Sequence, residues 1–328
     1  MNDQELSSVF DQLDEAHRFS GTVLVAQDGD VVFERAYGFA SQQLGVANAL
    51  DTKFAIASLT KMFTAMAALV LAEQGRIGLR ERPAAYVPDL AGLDGGITLH
   101  HLLSHTAGVR DVYDVPHLGF EVSKLRRDGG NLLAYLAAQP QLFRLGEGWG
   151  YSSTGYLLLG YVLEWVTGAS FNDLMTRHVL APLAMTSTGP DRPRRINPGR
   201  ASGHAIADGQ VVNAENDELS PFEEAPGELY STARDLKRWC DAMFDCPLVS
   251  PQTLALMFTP HGRVDPSLGY GYGWFLAPQF RTHGGGTPGF VSRIRQYPEQ
   301  KVSIVLLFNS THMDPDAVLG AVEPLVAG

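Results

Sequence analysis

The sequence predicts an α+β protein, an antiparallel β-sheet flanked by helices with an inserted all-helical domain. Three observations carry this. Near the start, "GTVLVAQDGDVVFERAYGFA" gives two β-rich runs around Asp28-Gly29, a hairpin signature. Near the end, the strand-like runs Phe290–Tyr297 and Val302–Phe308 are joined only by "PEQK". A parallel return needs a crossover of a dozen residues or more, so these strands pair antiparallel. Between the two ends, from Ser58 to about residue 215, the readable elements are mostly helical.

The first helix is expected in "MNDQELSSVFDQLDEAHRF", where Leu6, Val9, Phe10 and Leu13 recur at helical spacing. An apolar, Ala-rich helix follows from Ser58 to Gln74 and stops at Gly75. "TLHHLLSH", "NLLAYLAAQ", "TGYLLLGYVLEWVTG" and "SFNDLMTRHVL" continue the helical block, the last with a capping pair of Ser170 and Asp173. "STARDLKRWCDAMF" is a further helix, Tyr270–Leu276 a further strand, and a last helix starts at Asp314. The expected division is 1–60 with 216–328 as one discontinuous sheet domain and 61–215 as the helical domain, the active site lying in the cleft between them. No internal repeat or low-complexity tract is visible.

A chain of 328 residues with 45% hydrophobic residues can bury a substantial core. Its formal net charge of -11 disfavours nucleic acid and anionic membranes as partners. The one basic run, "RPRRINPGR" from Arg192, reads as a solvated loop, and "ENDELSPFEEAPGE" as an acidic loop. The N-terminal stretch lacks the basic and apolar pattern of an export signal, and no apolar run is long enough to span a bilayer. A cytoplasmic location is therefore expected. Cys240 and Cys246 have neither metal-ligand nor redox spacing and read as free thiols.

Chemistry is concentrated in three short stretches. In "FAIASLTKMFTAM", Ser58 and Lys61 lie three apart at a helix start, so both side chains project from one face. A serine hydroxyl becomes a good nucleophile when a base takes its proton, and a lysine can do so in its neutral form. In "GEGWGYSSTG", Tyr151 can relay a proton and Ser153 can hold a lysine or a substrate amide; the plain alternative is an aromatic helix entry with Ser153 as N-cap. The third stretch is "RTHGGGTPGF". An α/β-hydrolase would place such glycines before a Gly-x-Ser-x-Gly nucleophile, and a phosphate cradle would open a helix after them. Here the run lies near the C-terminus, "GYSSTG" has one residue too many, and "FVSRIRQYP" reads as a strand. What remains is a glycine-rich strand edge, Gly284, Gly285 and Gly286, with His283 beside it.

His101 and His105 have the spacing of two zinc ligands on a helix, but the residues between them offer no carboxylate base. No metal and no cofactor is expected. Trp149 and Tyr230 are candidate pocket walls.

Ser-x-x-Lys, Tyr-Ser-x and His-Gly-Gly in this order resemble the serine β-lactamase and penicillin-binding-protein superfamily. The likeness is closest to its class C β-lactamase, D-aminopeptidase and carboxylesterase branch. It extends over nearly the whole chain, through "ITLHHLLSHTAGV", "APLAMTSTG", "GELYSTARDL" and "VSIVLLFNS". The resemblance implies that Ser58 is acylated, that Lys61 is its base partner and that Tyr151 shares proton transfer. It further implies that the Ser58 and Gly286 N–H groups form an oxyanion hole, and that His283 stands where relatives carry lysine, histidine or tryptophan. Ser153 departs from the family's usual asparagine, His283 from the lysine of true β-lactamases, and Leu145 from a common proline. The first two departures favour a small neutral ester or amide over a cephalosporin. The alternatives are a β-lactamase or D-amino-acid peptidase, and a catalytically silent penicillin-recognising module. Oligomeric state is not legible.

Overall fold

A computed structural model describes residues 3–17, 19–93, 95–111, 131–191, 196–214 and 229–326. The acidic loop 215–228 and most of the arginines of the basic run, at 192–195, lie outside these residues. Arg200, from the same run, pairs with Asp191 at 2.8 Å and lies over the Phe290 ring.

The main sheet has eight strands, all antiparallel to their neighbours. Two come from the start of the chain, β1 (Gly21–Gln27) and β2 (Asp30–Tyr37). Six come from its end, β6 (Gly262–Arg263), β7 (Gly269–Tyr270), β8 (Phe275–Leu276), β9 (Arg281–Thr287), β10 (Phe290–Tyr297) and β11 (Val302–Phe308). The order is β6-β7-β8-β9-β10-β11-β1-β2, so β1 and β11 join the two ends, with Gly21 opposite Phe308 and Gln27 opposite Val302. The single strand expected over Tyr270–Leu276 is two short strands, because Gly273 takes a left-handed φ of 75° and turns the chain back.

Both faces of the central strands are covered. Val23, Val25, Ile304, Leu306 and Phe308 pack with Leu6 and Phe10 of α1 (Asp3–His17) and with Val318, Leu319 and Val322 of α9 (Pro315–Val326). Leu24, Ala26, Val305 and Leu307 point the other way, into the core shared with α2 (Thr60–Glu73) and α7 (Ala233–Ala242). This two-sided burial explains why β1 and β11 read as continuous apolar runs.

Every residue of α2 from Thr60 to Leu71 is buried, as expected of a helix apolar on all sides. Around it lie α3 (Leu99–Leu103), α4 (Leu132–Ala137), α5 (Ser153–Thr167), α6 (Phe171–Met175) and α8 (Pro251–Met257). The Ser170 hydroxyl caps α6 by accepting the Asp173 N–H. The stretch 61–215 is not purely helical. It includes β4 (Gly189–Pro190) and a hairpin of His204–Ala207 with Gln210–Asn213. β4 and β3 (Phe54–Ala55) flank β5 (Leu229–Ser231) in a small second sheet. No helix among the described residues is long and apolar enough to cross a membrane.

Phe63 fixes α2 against α7 through Trp239, with ring centroids 4.3 Å apart. Phe63→Ala is expected to lower unfolding free energy by about 3–5 kcal/mol, read from the urea midpoint.

Candidate active site

Ser58 is placed by the second sheet. Ile56 leaves β3 with its N–H donating to Leu229 O at 2.9 Å, and its carbonyl accepts the Ser292 hydroxyl of β10 at 2.9 Å. Ala57 then adopts a left-handed φ of 45°, a conformation costing a non-glycine residue on the order of 1–3 kcal/mol. It opens a 3-10 turn, Ala57–Leu59, closed by Leu59 N–H to Ile56 O at 3.1 Å. The helix expected from Ser58 therefore begins at Thr60, because the reversal at Ala57 first winds the tighter turn. The three-residue offset still works. Lys61 Nζ donates to Ser58 Oγ at 3.0 Å.

Lys61 is only 8% exposed, and its ammonium position is defined by hydroxyls and rings. Ser153 Oγ accepts from it at 3.4 Å, and it lies 4.9 Å from the Tyr151 ring centroid and 5.9 Å from that of Tyr156. The ion pairs found among the described residues do not include it. Tyr151 thus meets the lysine through its ring face.

The Tyr151 loop is pinned at several points. Ser152, not Ser153, is the N-cap of α5, its hydroxyl accepting the Gly155 N–H at 3.0 Å. That frees the Ser153 hydroxyl, in the first helical turn, to face Lys61. The Ser153 N–H donates to Asp111 Oδ2 at 2.6 Å and the Ser152 N–H to His105 Nδ1 at 3.1 Å. Asp111 carried no sequence signal, and His105 stood out only as a metal ligand candidate. His101 and His105 serve separate backbone contacts: His101 Nδ1 accepts the Thr98 N–H and caps α3, while His105 turns to Ser152.

The glycine edge closes the site from the sheet. A Cβ on Gly285 would stand 2.2 Å from Ile56 O, 2.7 Å from Ser292 Oγ and 2.9 Å from Ser58 N. Only a bare α-carbon lets β9 lie against the serine turn. Gly284 faces the Arg293 guanidinium, and the space beside Gly286 is open. β8 pairs with β9 only at Arg281 and Thr282, so the outer edge of β9 from His283 onward has no strand partner among the described residues.

His283 is 1% exposed. Its Nδ1 lies 2.7 Å from Gly284 O, which can only accept, so that nitrogen carries the proton and Nε2 accepts the Tyr270 hydroxyl at 3.3 Å. Burial first, and then the Lys61 charge, push its pKa down to about 3. A neutral imidazole therefore stands beside the site at physiological pH.

Trp149 packs among aromatic rings, with ring centroids 5.9 Å from His105, 5.7 Å from Tyr270 and 6.1 Å from Phe275. It also lines a cavity of about 610 Å³ together with His100, His261 and Arg263. Tyr230 instead packs over Gly189, with the Lys53 ammonium 5.3 Å from its ring centroid.

The sequence profile of the Beta-lactamase family matches residues 6–327. The chain belongs to the Beta-lactamase family. The Beta-lactamase fold is seen in solved relatives. A penicillin-binding protein from Bacillus halodurans superposes with a TM-score of 0.84, at 26% identity over 98% of this chain and 99% of that one. An octameric penicillin-binding protein homologue from Pyrococcus abyssi gives 0.82, at 25% identity over 99% of this chain and 78% of that one. In sequence, a penicillin-binding protein of Bacillus subtilis (strain 168) is 28% identical over 99% of this chain and 76% of its own length. This Beta-lactamase-family chain is thereby a member of a serine hydrolase family.

Two outcomes follow from the geometry. Gly285→Ala is expected to push β9 off the serine turn and to cut the rate of covalent labelling of Ser58 by about 100-fold or more, measured with a fluorophosphonate. The second concerns acid. His283 and His105 are buried, and burial holds both pKa values far below the ordinary 6.5. Below pH 6.5 the unfolded chain takes up protons that the folded chain does not, so stability falls as pH falls toward 3. The slope is about 1.4 kcal/mol per pH unit for each imidazole kept neutral. Urea midpoints between pH 7 and 4.5 should show this decline, shallower in His283→Gln.

Proposed function

We propose that this protein is a serine hydrolase that opens a small neutral ester or amide through an acyl-enzyme on Ser58. The observation that carries the reading is the buried Lys61 amine 3.0 Å from the Ser58 hydroxyl, with Ser153 and the Tyr151 ring on its other sides. In its unprotonated form the amine takes the hydroxyl proton as Oγ attacks the carbonyl carbon. The oxygen that gains charge is received by the Ser58 and Gly286 N–H groups, at the open edge of β9. Collapse expels the alcohol or amine, which leaves with a proton passed through Lys61 and Tyr151. Water then gives a proton to the same pair, attacks the acyl carbonyl and releases the acid.

Two features support a neutral substrate. His283 is uncharged and both its nitrogens are engaged, so no cation at that position attracts a carboxylate. Ser153 has a hydroxyl where an asparagine amide would offer both a donor and an acceptor to an acylamido side chain. That its relatives include penicillin-binding proteins favours a second reading, a β-lactam substrate or, on the same scaffold, a D-amino-acid peptide.

Ser58→Ala is expected to reduce turnover of an activated short-chain ester by at least about 10³-fold, and mass spectrometry of the wild type to find the acyl adduct on the Ser58 peptide. Full ester turnover by Ser58→Ala overturns the mechanism. Faster turnover of nitrocefin or a D-alanyl amide than of the ester selects the second reading. Failure of a fluorophosphonate to label the native protein selects a catalytically silent module.

A further inference from the structure

His105 is the residue around which the Tyr151 loop is built. Its own carbonyl accepts the Gly150 N–H at 3.0 Å, and its Nδ1 accepts the Ser152 N–H at 3.1 Å, so one residue binds the backbone on both sides of Tyr151. Asp111, six residues on, takes the next N–H, that of Ser153. The His105 ring also lies 4.5 Å from the Tyr151 ring centroid. Carbonyl and imidazole can both face the loop because His105 has a left-handed φ of 58°, which costs a residue other than glycine, asparagine or aspartate. Such strain persists where the surroundings over-determine it.

The protonation state follows from the contacts. Nδ1 accepts a hydrogen bond, so the proton of the neutral ring is on Nε2, which is buried without a hydrogen-bond partner among the described residues. The rings of Tyr156 and Tyr270 pack against the imidazole, with centroids 5.0 and 4.7 Å from its own. Burial, then Lys61, then His283 hold the ring neutral. A charged ring would carry protons on both nitrogens and would release Ser152.

We infer that His105 is a positioning residue for acylation: as the Nε2–H tautomer it fixes the backbone on both sides of Tyr151 and so sets Tyr151 and Ser153 against Lys61. This rests on the hydrolase reading above, in which Lys61, held by Ser153, takes the proton of Ser58 and passes it on with Tyr151. His105→Phe keeps a ring and removes the acceptor. His105→Asn removes the ring but places Oδ1 where Nδ1 was, and asparagine tolerates the left-handed backbone.

The test uses the full chain, with Ser58→Ala as the blank, and measures fluorophosphonate labelling of Ser58 together with kcat and KM for a short-chain ester. His105→Phe is expected to lower the labelling rate and kcat by about 30- to 100-fold with KM changed less than about threefold, since displacement of a group by an ångström costs about that much. His105→Asn is expected to recover to within about fivefold of wild type. Equal rates for wild type and His105→Phe, or equal losses in both variants, overturn the inference. Should His105→Phe not fold, nitrogen-15 spectra of the wild-type histidines decide: the Nε2–H tautomer, unchanged from pH 7.5 to 5.5, supports it, and an Nδ1–H ring overturns it. Absence of labelling in the wild type refutes the hydrolase reading, whereas the tautomer reports on His105 alone.

Discussion

A buried amine with no carboxylate partner among the described residues is the constraint that orders this molecule. Lys61 lies inside the structure with hydroxyl oxygens and aromatic faces for company. Burying a polar nitrogen is costly unless its hydrogen bonds are made, so everything that supplies them must be held in place. Two separate parts of the chain surround the amine: the turn before α2, with Ser58, and the start of α5, with Tyr151, Ser153 and the ring of Tyr156. Each is secured from behind, the turn by Leu229 and Ser292 and the α5 entry by His105 and Asp111.

Close approach is achieved by omission of side chains. Gly285 brings the sheet to the serine turn, and Gly273 brings the β7–β8 turn against α2, where a Cβ would lie 2.8 Å from Met62 Cα. Gly262 does the same for Trp149, with a would-be Cβ 2.3 Å from its ring. Backbone packing of this kind leaves little room for adjustment, so the distances around Ser58 are set by strands as much as by the helix that carries it.

Much of this was legible in the residues. The hairpin at Asp28-Gly29, the short "PEQK" link and the apolar run of α2 gave a sheet built from both chain ends around a buried helix. The Ser58–Lys61 spacing survived a two-residue error in the start of α2, because an offset of three brings side chains together in either kind of helical turn. His105 and Asp111 were opaque for a physical reason. Their roles are hydrogen bonds to backbone N–H groups more than forty positions away, and such bonds impose no periodicity and no residue pattern on the partner. The left-handed Ala57 was equally hidden, since alanine advertises no special φ. The split at Gly271–Trp274 was missed because alternating aromatics imitate a continuous strand.

The junction of β1 with β11 has a consequence for synthesis. The hairpin of β1 and β2 emerges from the ribosome long before its hydrogen-bonding neighbour at 302–308. Contacts of such long sequence separation form late and slowly. Until β11 arrives, Val23, Val25 and the exposed rim of β1 have no cover from it, a state prone to association with other chains. The nascent polypeptide must also wait for β9 and β10 before Ile56 finds Ser292, so truncated products should lack a formed serine turn however well their helices fold.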